Sequence, residues 1–291
     1  KNKHNVIIYN KISENLKSTK FCGYQENQCK AKLLRIINNE KVVNDVKTIS
    51  NDVELIFDRT PFYGESGGQV GDSGSIYNLH GNKVAMVADT QVIQNNIYIH
   101  TLKNISEQIK VNTIYKLVVD EDRRNKIRNN HSATHLLHES LRIVVGTHVA
   151  QKGSLVNEEK LRFDYTSADQ LTNEQIHKIE SLVNTSIRSN ISSNIKLMPV
   201  KQAIKSGAIA LFGEKYPDNV RVISLIDKNK ENISSVELCG GTHVDSTGQI
   251  GLFKILNDSS VSSGIRRIEA ITGETAEKYV TEKIIMLENI K

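Results

Sequence analysis

The chain has 291 residues, of which 38% are hydrophobic and 24% are charged, and its formal net charge at pH 7 is +5. That length can accommodate two domains with a substantial buried core. No apolar run approaches the roughly 20 residues that a membrane-spanning helix needs, and the N-terminal residues lack the apolar segment of a signal peptide. The composition therefore predicts a globular protein without a membrane partner. Its slight basic excess is compatible with a nucleic-acid ligand but does not establish one.

The three cysteines, Cys22, Cys29 and Cys239, bear on the cellular compartment. An odd number of cysteines cannot complete a disulfide framework, and Cys22 and Cys29 lack the C-x-x-C spacing. This pattern favours a reducing cytosol, hence a cytoplasmic protein, in which Cys239 is free to be a metal ligand. The chain begins at Lys1 rather than Met, which suggests a piece of a longer protein.

The first part of the chain has the pattern of a small β-barrel. Residues 1–35 are polar and irregular and are predicted to be a lead-in segment, and the barrel is expected over residues 36–120. Short apolar runs separated by Gly- and Asn-rich turns predict its strands. The clearest runs are residues 53–57, 84–87 and 114–119.

The pattern then changes to an α+β domain, predicted over residues 121–272. A long helix is expected at residues 122–145, and a second helix begins at Thr172, which can form a capping box with Gln175. A last amphipathic helix over residues 273–291 is expected to lead into another region. Strands are predicted near residues 154–165, 195–200, 220–227, 251–256 and 264–271.

Two short motifs carry the main chemical signal. His131 and His135 are four residues apart in the long helix, so their side chains share one face. Cys239 and His243 follow in a Gly-rich loop. Three imidazoles and one thiolate form a donor set that suits zinc, so one zinc ion per chain is predicted. Taken alone, the helical pair could also be two core or surface histidines. His138 lies on the same face, and a supporting or core role is favoured over that of a fifth ligand.

The residues between the helical histidines limit the zinc chemistry. A zincin-type protease needs Glu between them, whereas this chain has Ser132, Ala133 and Thr134. The motifs of nucleobase deaminases are also missing from the sequence. Four protein ligands normally form a structural zinc site, so the ligand set by itself does not predict catalysis.

Two further features each leave two interpretations open. Residues 60–74 contain five glycines, which permit close backbone approach to a ligand, although composition alone favours a turn-rich barrel connection. Several basic side chains could contact phosphates or could simply form a solvated face. These basic residues are Arg123, Arg124, Lys126, Arg128, Lys152, Arg266 and Arg267.

Six segments together resemble a known family in their sequence and in their order. The chain resembles alanyl-tRNA synthetases and their free-standing AlaX relatives over roughly residues 20–285. The segments that carry the resemblance are residues 60–72, 131–138, 151–155, 207–216, 239–243 and 264–269.

The resemblance implies the editing region of a bacterial alanine–tRNA ligase, with a translation-factor-like β-barrel followed by an α+β zinc domain. The implied activity is hydrolysis of Ser or Gly wrongly esterified to tRNA(Ala), which is the implied partner. The implied zinc ligands are His131, His135, Cys239 and His243. ATP and Mg²⁺ belong to an aminoacylation core that nothing in residues 1–50 could hold. Editing roles are implied for Gln151 and for Gly67, Gly68 and Gln69 of the Gly-rich loop.

Three alternatives remain. The first is a free-standing AlaX-type trans-editing protein, which the start at Lys1 and the last helix argue against. The second is the related editing module of threonyl-tRNA synthetases, from which the Gly-rich segment points away. The third is a zinc-stabilised tRNA-binding module without activity. The oligomeric state is not predicted.

Overall fold

The computed structural model describes residues 3–48, 53–210, 216–227 and 234–290. The chain divides into two compact units. The first, called the barrel unit, comprises Lys1–Ser66 and Val70–Arg124. The second, called the α+β unit, comprises Gly67–Gln69 and Asn125–Lys291. The short segment Gly67–Gln69 thus belongs to the α+β unit, although the barrel sequence surrounds it on both sides.

The barrel unit contains one α-helix and eleven strands in the described residues. In chain order they are α1 (Lys3–Asn15), β1 (Lys20–Phe21), β2 (Gln28–Asn38), β3 (Lys41–Val43), β4 (Asp45–Val46), β5 (Val53–Phe57), β6 (Arg59–Thr60), β7 (Gly74–Tyr77), β8 (Lys83–Ile93), β9 (Ile97–Ile105), β10 (Ile109–Lys110) and β11 (Ile114–Val119).

Six of these strands close into an antiparallel barrel. They pair in the order β11-β7-β8-β9-β5-β2, and the pairing of β2 with β11 closes the ring. Alternation along each strand directs one side chain in two to the interior. In β11, for example, Tyr115, Leu117 and Val119 are buried, whereas the residues between them are more exposed. The predicted small β-barrel is therefore confirmed.

The prediction of an irregular lead-in over residues 1–35 differs from the structure in two ways. Strand β2 already begins at Gln28 and is part of the barrel ring. Helix α1 precedes it, and the apolar side chains Ile8, Ile12 and Leu16 pack in one cluster with barrel residues. These three residues are spaced at i, i+4 and i+8, the spacing of a helix face, but the surrounding polar residues obscured that signal.

The remaining elements lie mostly in the α+β unit, and helix α2 begins at the end of the barrel unit. They are α2 (Glu121–Val144), β12 (Gln151–Val156), β13 (Leu161–Thr166), α3 (Asn173–Arg188), β14 (Ser193–Pro199), α4 (Val200–Lys205), β15 (Asn219–Leu225), β16 (Ser235–Leu238), β17 (Phe253–Ser262), β18 (Ile265–Thr272) and α5 (Gly273–Glu288).

The strands of the α+β unit form two antiparallel sheets, with the orders β12-β13-β18-β17 and β14-β15-β16. Helix α3 begins with the predicted capping box, in which Gln175 N donates to Thr172 Oγ1 at 3.1 Å and Thr172 N donates to Gln175 Oε1 at 2.9 Å. The helix is joined to β17 by Asn184, whose side chain bonds both the N–H and the carbonyl of Phe253 at 2.9 Å. The α+β class is thus confirmed. None of the described helices is both long enough and apolar enough to cross a membrane.

Candidate metal centre

Two elements of the α+β unit bring four predicted side chains together. Helix α2 carries His131 and His135, whose ring centroids lie 5.4 Å apart, as expected for residues one turn apart. The loop that follows β16 carries Cys239 and His243. One nitrogen of each imidazole and the Cys239 sulfur all lie within 4.8 Å of one another. The predicted proximity of these four side chains is therefore observed.

The loop approaches α2 closely because it contains glycine. A Cβ atom at Gly241 would lie 2.0 Å from Cε1 of His131, so a side chain there would displace the imidazole. The loop is also held from β15, where Arg221 donates hydrogen bonds to the carbonyl oxygens of Cys239 at 3.2 Å and Gly241 at 2.5 Å. The two halves of the cluster are thus held in place by backbone contacts as well as by their own side chains.

Gln69 orients the first histidine. Its side chain is fully buried, and its Oε1 accepts hydrogen bonds from Nδ1 of His131 at 2.7 Å and from the N–H of Thr242 at 2.9 Å. Its Nε2 donates to Thr242 Oγ1 at 2.9 Å. Because an amide oxygen can only accept, Nδ1 of His131 carries the proton, which leaves the lone pair on Nε2. Nε2 of His131 lies 3.4 Å from the Cys239 sulfur.

Glu237 orients His135 in the way that Gln69 orients His131. One carboxylate oxygen of this buried residue accepts from Nδ1 of His135 at 2.7 Å, and the other accepts from Nδ1 of His138 at 3.0 Å. Nε2 of His135 is buried and has no hydrogen-bond partner among the described residues, and the same is true of Nε2 of His138. A buried nitrogen without a partner is costly unless something binds it, and a metal ion would do so.

His243 completes the pattern. Its Nδ1 lies 3.3 Å from the hydroxyl oxygen of Ser132, which also accepts from the N–H of Val244 at 3.1 Å. Its Nε2 lies 3.2 Å from the Cys239 sulfur. All three imidazoles therefore use Nδ1 for a supporting hydrogen bond and direct Nε2 towards the shared centre. This is the usual arrangement of histidine metal ligands.

The charge state of the cluster suits a cation. Burial alone would raise the pKa of Cys239, but the imidazoles of His131, His243 and His135 outweigh it and hold that pKa well below its usual value. Burial lowers the pKa of His243 to about 3, so its imidazole is neutral. Burial also opposes protonation of His135, yet Glu237 and Cys239 together raise its pKa to about 10. The cluster thus places a thiolate beside imidazoles, and a metal ion bound there would replace the proton on His135, because metal ligands must be deprotonated.

The Gly-rich segment contributes to the α+β unit through Gly68. Its φ is +85°, and a Cβ atom there would lie 2.6 Å from the carbonyl oxygen of Ser154. The N–H of Val156 donates to the Gly68 carbonyl at 2.7 Å. Gly68 thus allows the backbone to pass directly against β12, and this places Gln69 beside the cluster. Residues 207–216, another of the six segments that carry the resemblance, are described only in part, because residues 211–215 lie outside the described residues.

Gln151 is half-buried at the start of β12, where it pairs with Tyr165. In the part of the chain that the structure describes, no hydrogen bond joins its side chain to the four-residue cluster.

Two of the predicted tRNA contacts are structural instead. Arg124 is fully buried, and its guanidinium is ion-paired with Asp72 and donates to the carbonyl oxygens of Gly23 at 2.9 Å and Pro61 at 2.6 Å. Arg266 is also buried and donates to both carboxylate oxygens of Asp258 at 3.0 and 3.2 Å. The prediction of phosphate contacts is wrong for these two residues, because their charges are already paired away from solvent.

The other basic residues differ in exposure. Arg267 is paired with Asp164 at 2.7 Å, and Arg123 donates to the carbonyl of Gly71 at 2.8 Å. Lys126 and Lys152 are exposed.

Sequence reasoning missed Glu237 and Ser132 as supporting residues. A glutamate two positions before Cys239, in a short strand that is otherwise apolar or small, was the available signal for the first. Ser132 stands out in the sequence only as one of the residues found where a zincin has its catalytic Glu. Its hydrogen bond to His243 depends on a contact between distant parts of the chain.

Comparison with known proteins gives matches in both units. Residues 1–123 match the family model described as tRNA synthetases class II (A), and residues 220–269 match that of the threonyl and alanyl tRNA synthetase second additional domain. The alanine–tRNA ligase of Wolbachia pipientis wMel is 46% identical over 94% of this chain and 30% of its own length. That of Rhizorhabdus wittichii is 46% identical over 94% of this chain and 31% of its own length.

A third relative agrees: the alanine–tRNA ligase of Parvibaculum lavamentivorans is 43% identical over 94% of this chain and 31% of its own length. The chain thus spans about 30% of the length of these curated relatives. The order of the motifs, the two family models and this identity agree with one another. Residues 1–123 and 220–269 thus match domain models of tRNA synthetases, and 94% of the chain is similar to a part of alanine–tRNA ligases.

Proposed function

We propose that this chain is the editing region of an alanine–tRNA ligase and hydrolyses the ester that joins Ser or Gly to tRNA(Ala). The observation that carries the proposal is the group of three buried histidines, His131, His135 and His243, and the partly buried Cys239, with donor atoms within 4.8 Å of one another. The match of residues 220–269 to the second additional domain supports it. The proposed editing domain comprises residues 121–272, after the barrel.

Zinc is the metal proposed for the centre. Three imidazole nitrogens and a thiolate match its preferred donors, and the unpartnered Nε2 of His135 fits a metal ligand. Zinc held there would polarise the ester carbonyl, activate water, or hold the amino acid or the terminal ribose. Four protein ligands fill a tetrahedral site, so we favour the holding role.

The protein's own residues then arrange the site. Gln69 and Glu237 hold the helical histidines in the tautomer that presents Nε2, and Ser132 supports His243. We propose that Gly67 and Gly68 allow the backbone to approach the substrate, and that Gln151 contributes to the choice of amino acid. These three roles rest on the resemblance in sequence.

The physical need for such a site follows from the limits of binding selectivity. An aminoacylation pocket sized for Ala cannot exclude the smaller Gly, and it rejects Ser only modestly for one extra hydroxyl. A second site that hydrogen-bonds the Ser hydroxyl leaves polar groups unpaired when Ala enters. The cost is on the order of 1–3 kcal/mol for each group. That difference would spare correctly charged tRNA.

The tRNA contacts are proposed for the basic side chains that remain accessible. Lys126 and Lys152 are exposed, and Arg123 and Arg267 are partly exposed. We propose that they meet phosphates. We also propose that the whole protein is a cytoplasmic ligase, whose aminoacylation core binds ATP and Mg²⁺ outside these 291 residues.

A panel of charged tRNAs tests the proposal. The zinc-loaded chain is expected to release Ser and Gly from tRNA(Ala), to spare Ala-tRNA(Ala), and to catalyse no alanine-dependent ATP–pyrophosphate exchange. Equal hydrolysis of Ser- and Ala-tRNA would contradict selectivity within this chain. Binding of Ser-tRNA(Ala) without any hydrolysis would instead indicate a zinc-stabilised tRNA-binding module. A free-standing AlaX-type protein would show the same panel, and the length of the natural protein separates it from a ligase fragment.

A further inference from the structure

A row of lysines crosses the outer surface of the barrel unit. Lys30 of β2 is paired with Lys116 of β11. Lys116 is also paired with Tyr77 of β7, and Tyr77 is paired with Lys83 of β8. Paired residues of neighbouring strands project from the same face of a sheet. Because Leu117, the next residue along β11, is buried in the barrel core, these four residues face outward, and we call them the lysine row.

The lysine row is accessible, and its positive charges have no partner. Lys30 and Lys83 are exposed, whereas Lys116 and Tyr77 are half-buried. In the part of the chain that the structure describes, none of the three lysines forms an ion pair. The row therefore presents three ammonium groups that a ligand can reach.

The outward residues beside the row add positive and not negative charge. Paired across the same four strands on one side are Gln28, Val118, Ser75 and Met86. On the other side Lys32 is paired with Ile114. The carboxylate of Asp58 accepts the backbone N–H of Lys32 at 2.8 Å and so flanks the row at its β2 end. This side of the barrel thus has a positive surface that attracts anions.

The architecture of the barrel does not account for the pair of Lys30 and Lys116. Like charges directly opposite each other in an antiparallel ladder destabilise a sheet. Lysines on strands commonly protect an open sheet edge, but β11 is bonded to β2 on one side and to β7 on the other. Helix α1 packs on a different set of barrel residues, which includes Ile56 and Ile97. The repulsion within the pair would be relieved by a bound anion.

We propose that the lysine row binds the phosphodiester backbone of RNA. Neighbouring strands lie about 4.8 Å apart, so a row across four strands is about 14 Å long. Each strand of a nucleic-acid duplex carries a phosphate about every 3.4 Å along the axis, so this length covers several phosphates. Tyr77 adds an aromatic side chain among the cations, a combination found on surfaces that bind nucleic acids.

The identity of the RNA rests on the proposed function, in which the partner is tRNA(Ala). The row lies in the barrel unit and is separate from the basic residues already proposed for the α+β unit. It is therefore a second surface for the same polyanion, and its role is binding and not chemistry at the metal centre.

The salt dependence of binding to uncharged tRNA(Ala) tests the proposal. The triple variant Lys30→Gln/Lys83→Gln/Lys116→Gln should bind about 100-fold more weakly at about 0.1 M salt. The slope of the logarithm of the binding constant against the logarithm of the salt concentration should fall by about three, one for each phosphate contact. A slope equal to that of the wild-type chain, or a wild-type chain that binds no tRNA, would overturn the proposal.

A second triple variant controls for the loss of net charge. Lys41→Gln/Lys47→Gln/Lys103→Gln removes the same charge from three exposed lysines of the barrel unit that lie outside the row. Its salt slope should stay within about one of the wild-type value. Equal losses of slope in the two triple variants would show that only the total charge matters and would overturn the row as a site.

The like-charge pair provides a measurement that a purely structural role would move in the opposite direction. Lys116→Gln removes the repulsion from Lys30, so the Tm of the free chain should rise by about 1–3 °C while tRNA affinity falls about fivefold. Lys116→Arg keeps the charge, so both values should stay near those of the wild-type chain. A lower Tm together with weaker binding in Lys116→Gln would assign this lysine to the stability of the barrel and overturn the proposal.

The binding assay separates this surface from the proposed editing activity and from a protein partner. Uncharged tRNA carries no ester, so a wild-type chain that fails to release Ser would contradict the editing proposal while the salt slopes still decide on the row. Poly-L-glutamate serves as a probe for an acidic protein. If the row variant loses binding to poly-L-glutamate but binds tRNA(Ala) as the wild-type chain does, the row fits an acidic protein and the RNA proposal is wrong.

Discussion

Nδ1 of His131 donates a 2.7 Å hydrogen bond to the side-chain oxygen of Gln69, which also accepts a hydrogen bond from the N–H of Thr242 in the other half of the candidate metal centre. One buried amide therefore orients one candidate ligand on the helix and holds the loop that carries two others, Cys239 and His243. Supporting residues of this kind typically change metal affinity by about 10–100-fold when they are removed.

Gln69→Ala should therefore weaken zinc binding by roughly 10–100-fold, because Nδ1 of His131 and the Thr242 N–H both lose their acceptor. Competition with a chromophoric chelator measures this affinity. Gln151→Ala is the matched control, because the Gln151 side chain makes no described hydrogen bond to the cluster. This variant should keep the wild-type affinity for zinc. Equal zinc affinity in Gln69→Ala and the wild-type chain would show that Gln69 does not support the site.

Glu237→Gln tests the carboxylate that is shared by His135 and His138. An amide has only one accepting oxygen, so one of the two Nδ1–H groups would face an NH₂ donor. We expect zinc affinity to fall by about 10–100-fold. Glu274→Gln removes a charge from an exposed ion pair with Lys278 and should have no effect on zinc. The same loss in both variants would point to overall charge and not to hydrogen bonding.

Arg124 is predicted to matter for stability and not for tRNA affinity. Arg124→Met leaves Asp72 buried without its partner, so the free energy of unfolding should fall by about 3–5 kcal/mol. Lys126→Ala, on the exposed side of the same helix, should change it by less than about 0.5 kcal/mol. Urea denaturation measures both values. A free energy of unfolding in Arg124→Met equal to that of the wild-type chain would contradict the structural role of the ion pair.

His100 should make the stability of the barrel unit depend on pH. Burial lowers its pKa from 6.5 to about 4, and its ring bonds Thr60 Oγ1 at 2.8 Å and the Leu55 carbonyl at 3.0 Å. Below pH 6.5 the unfolded chain gains a proton that the folded chain does not, so stability is lost as the pH falls from about 6.5 to about 4. The full loss is about 3 kcal/mol.

The difference between the denaturation curves of the wild-type chain and His100→Gln isolates this contribution from that of the carboxylates. The variant should be less stable at pH 7, and its stability should fall less steeply between pH 6.5 and 4. Parallel curves over that range would rule out His100 as the titrating group.

Local patterns in the sequence predicted much of the fold and of the candidate site. The spacing of His131 and His135 placed both on one helix face, and Thr172 with Gln175 marked the start of α3, because these relations lie within one helical turn. The partners of Arg124 and Glu237 were not predictable in this way. Arg124 meets Pro61 and Asp72, and Glu237 meets His135, all far away in sequence. Only the folded chain brings such residues together. The sequence alone therefore could not show that Arg124 is buried and not available to a ligand.

The most direct test of the proposed function combines zinc content and Ser-tRNA(Ala) hydrolysis in the wild-type chain and in Cys239→Ala. The wild-type chain is expected to hold about one zinc ion and to release Ser, because four donors meet at one centre. Cys239→Ala should lose both the metal and the hydrolysis while it remains folded by circular dichroism. A zinc-free Cys239→Ala protein that releases Ser at the wild-type rate would contradict the proposed role of the metal centre.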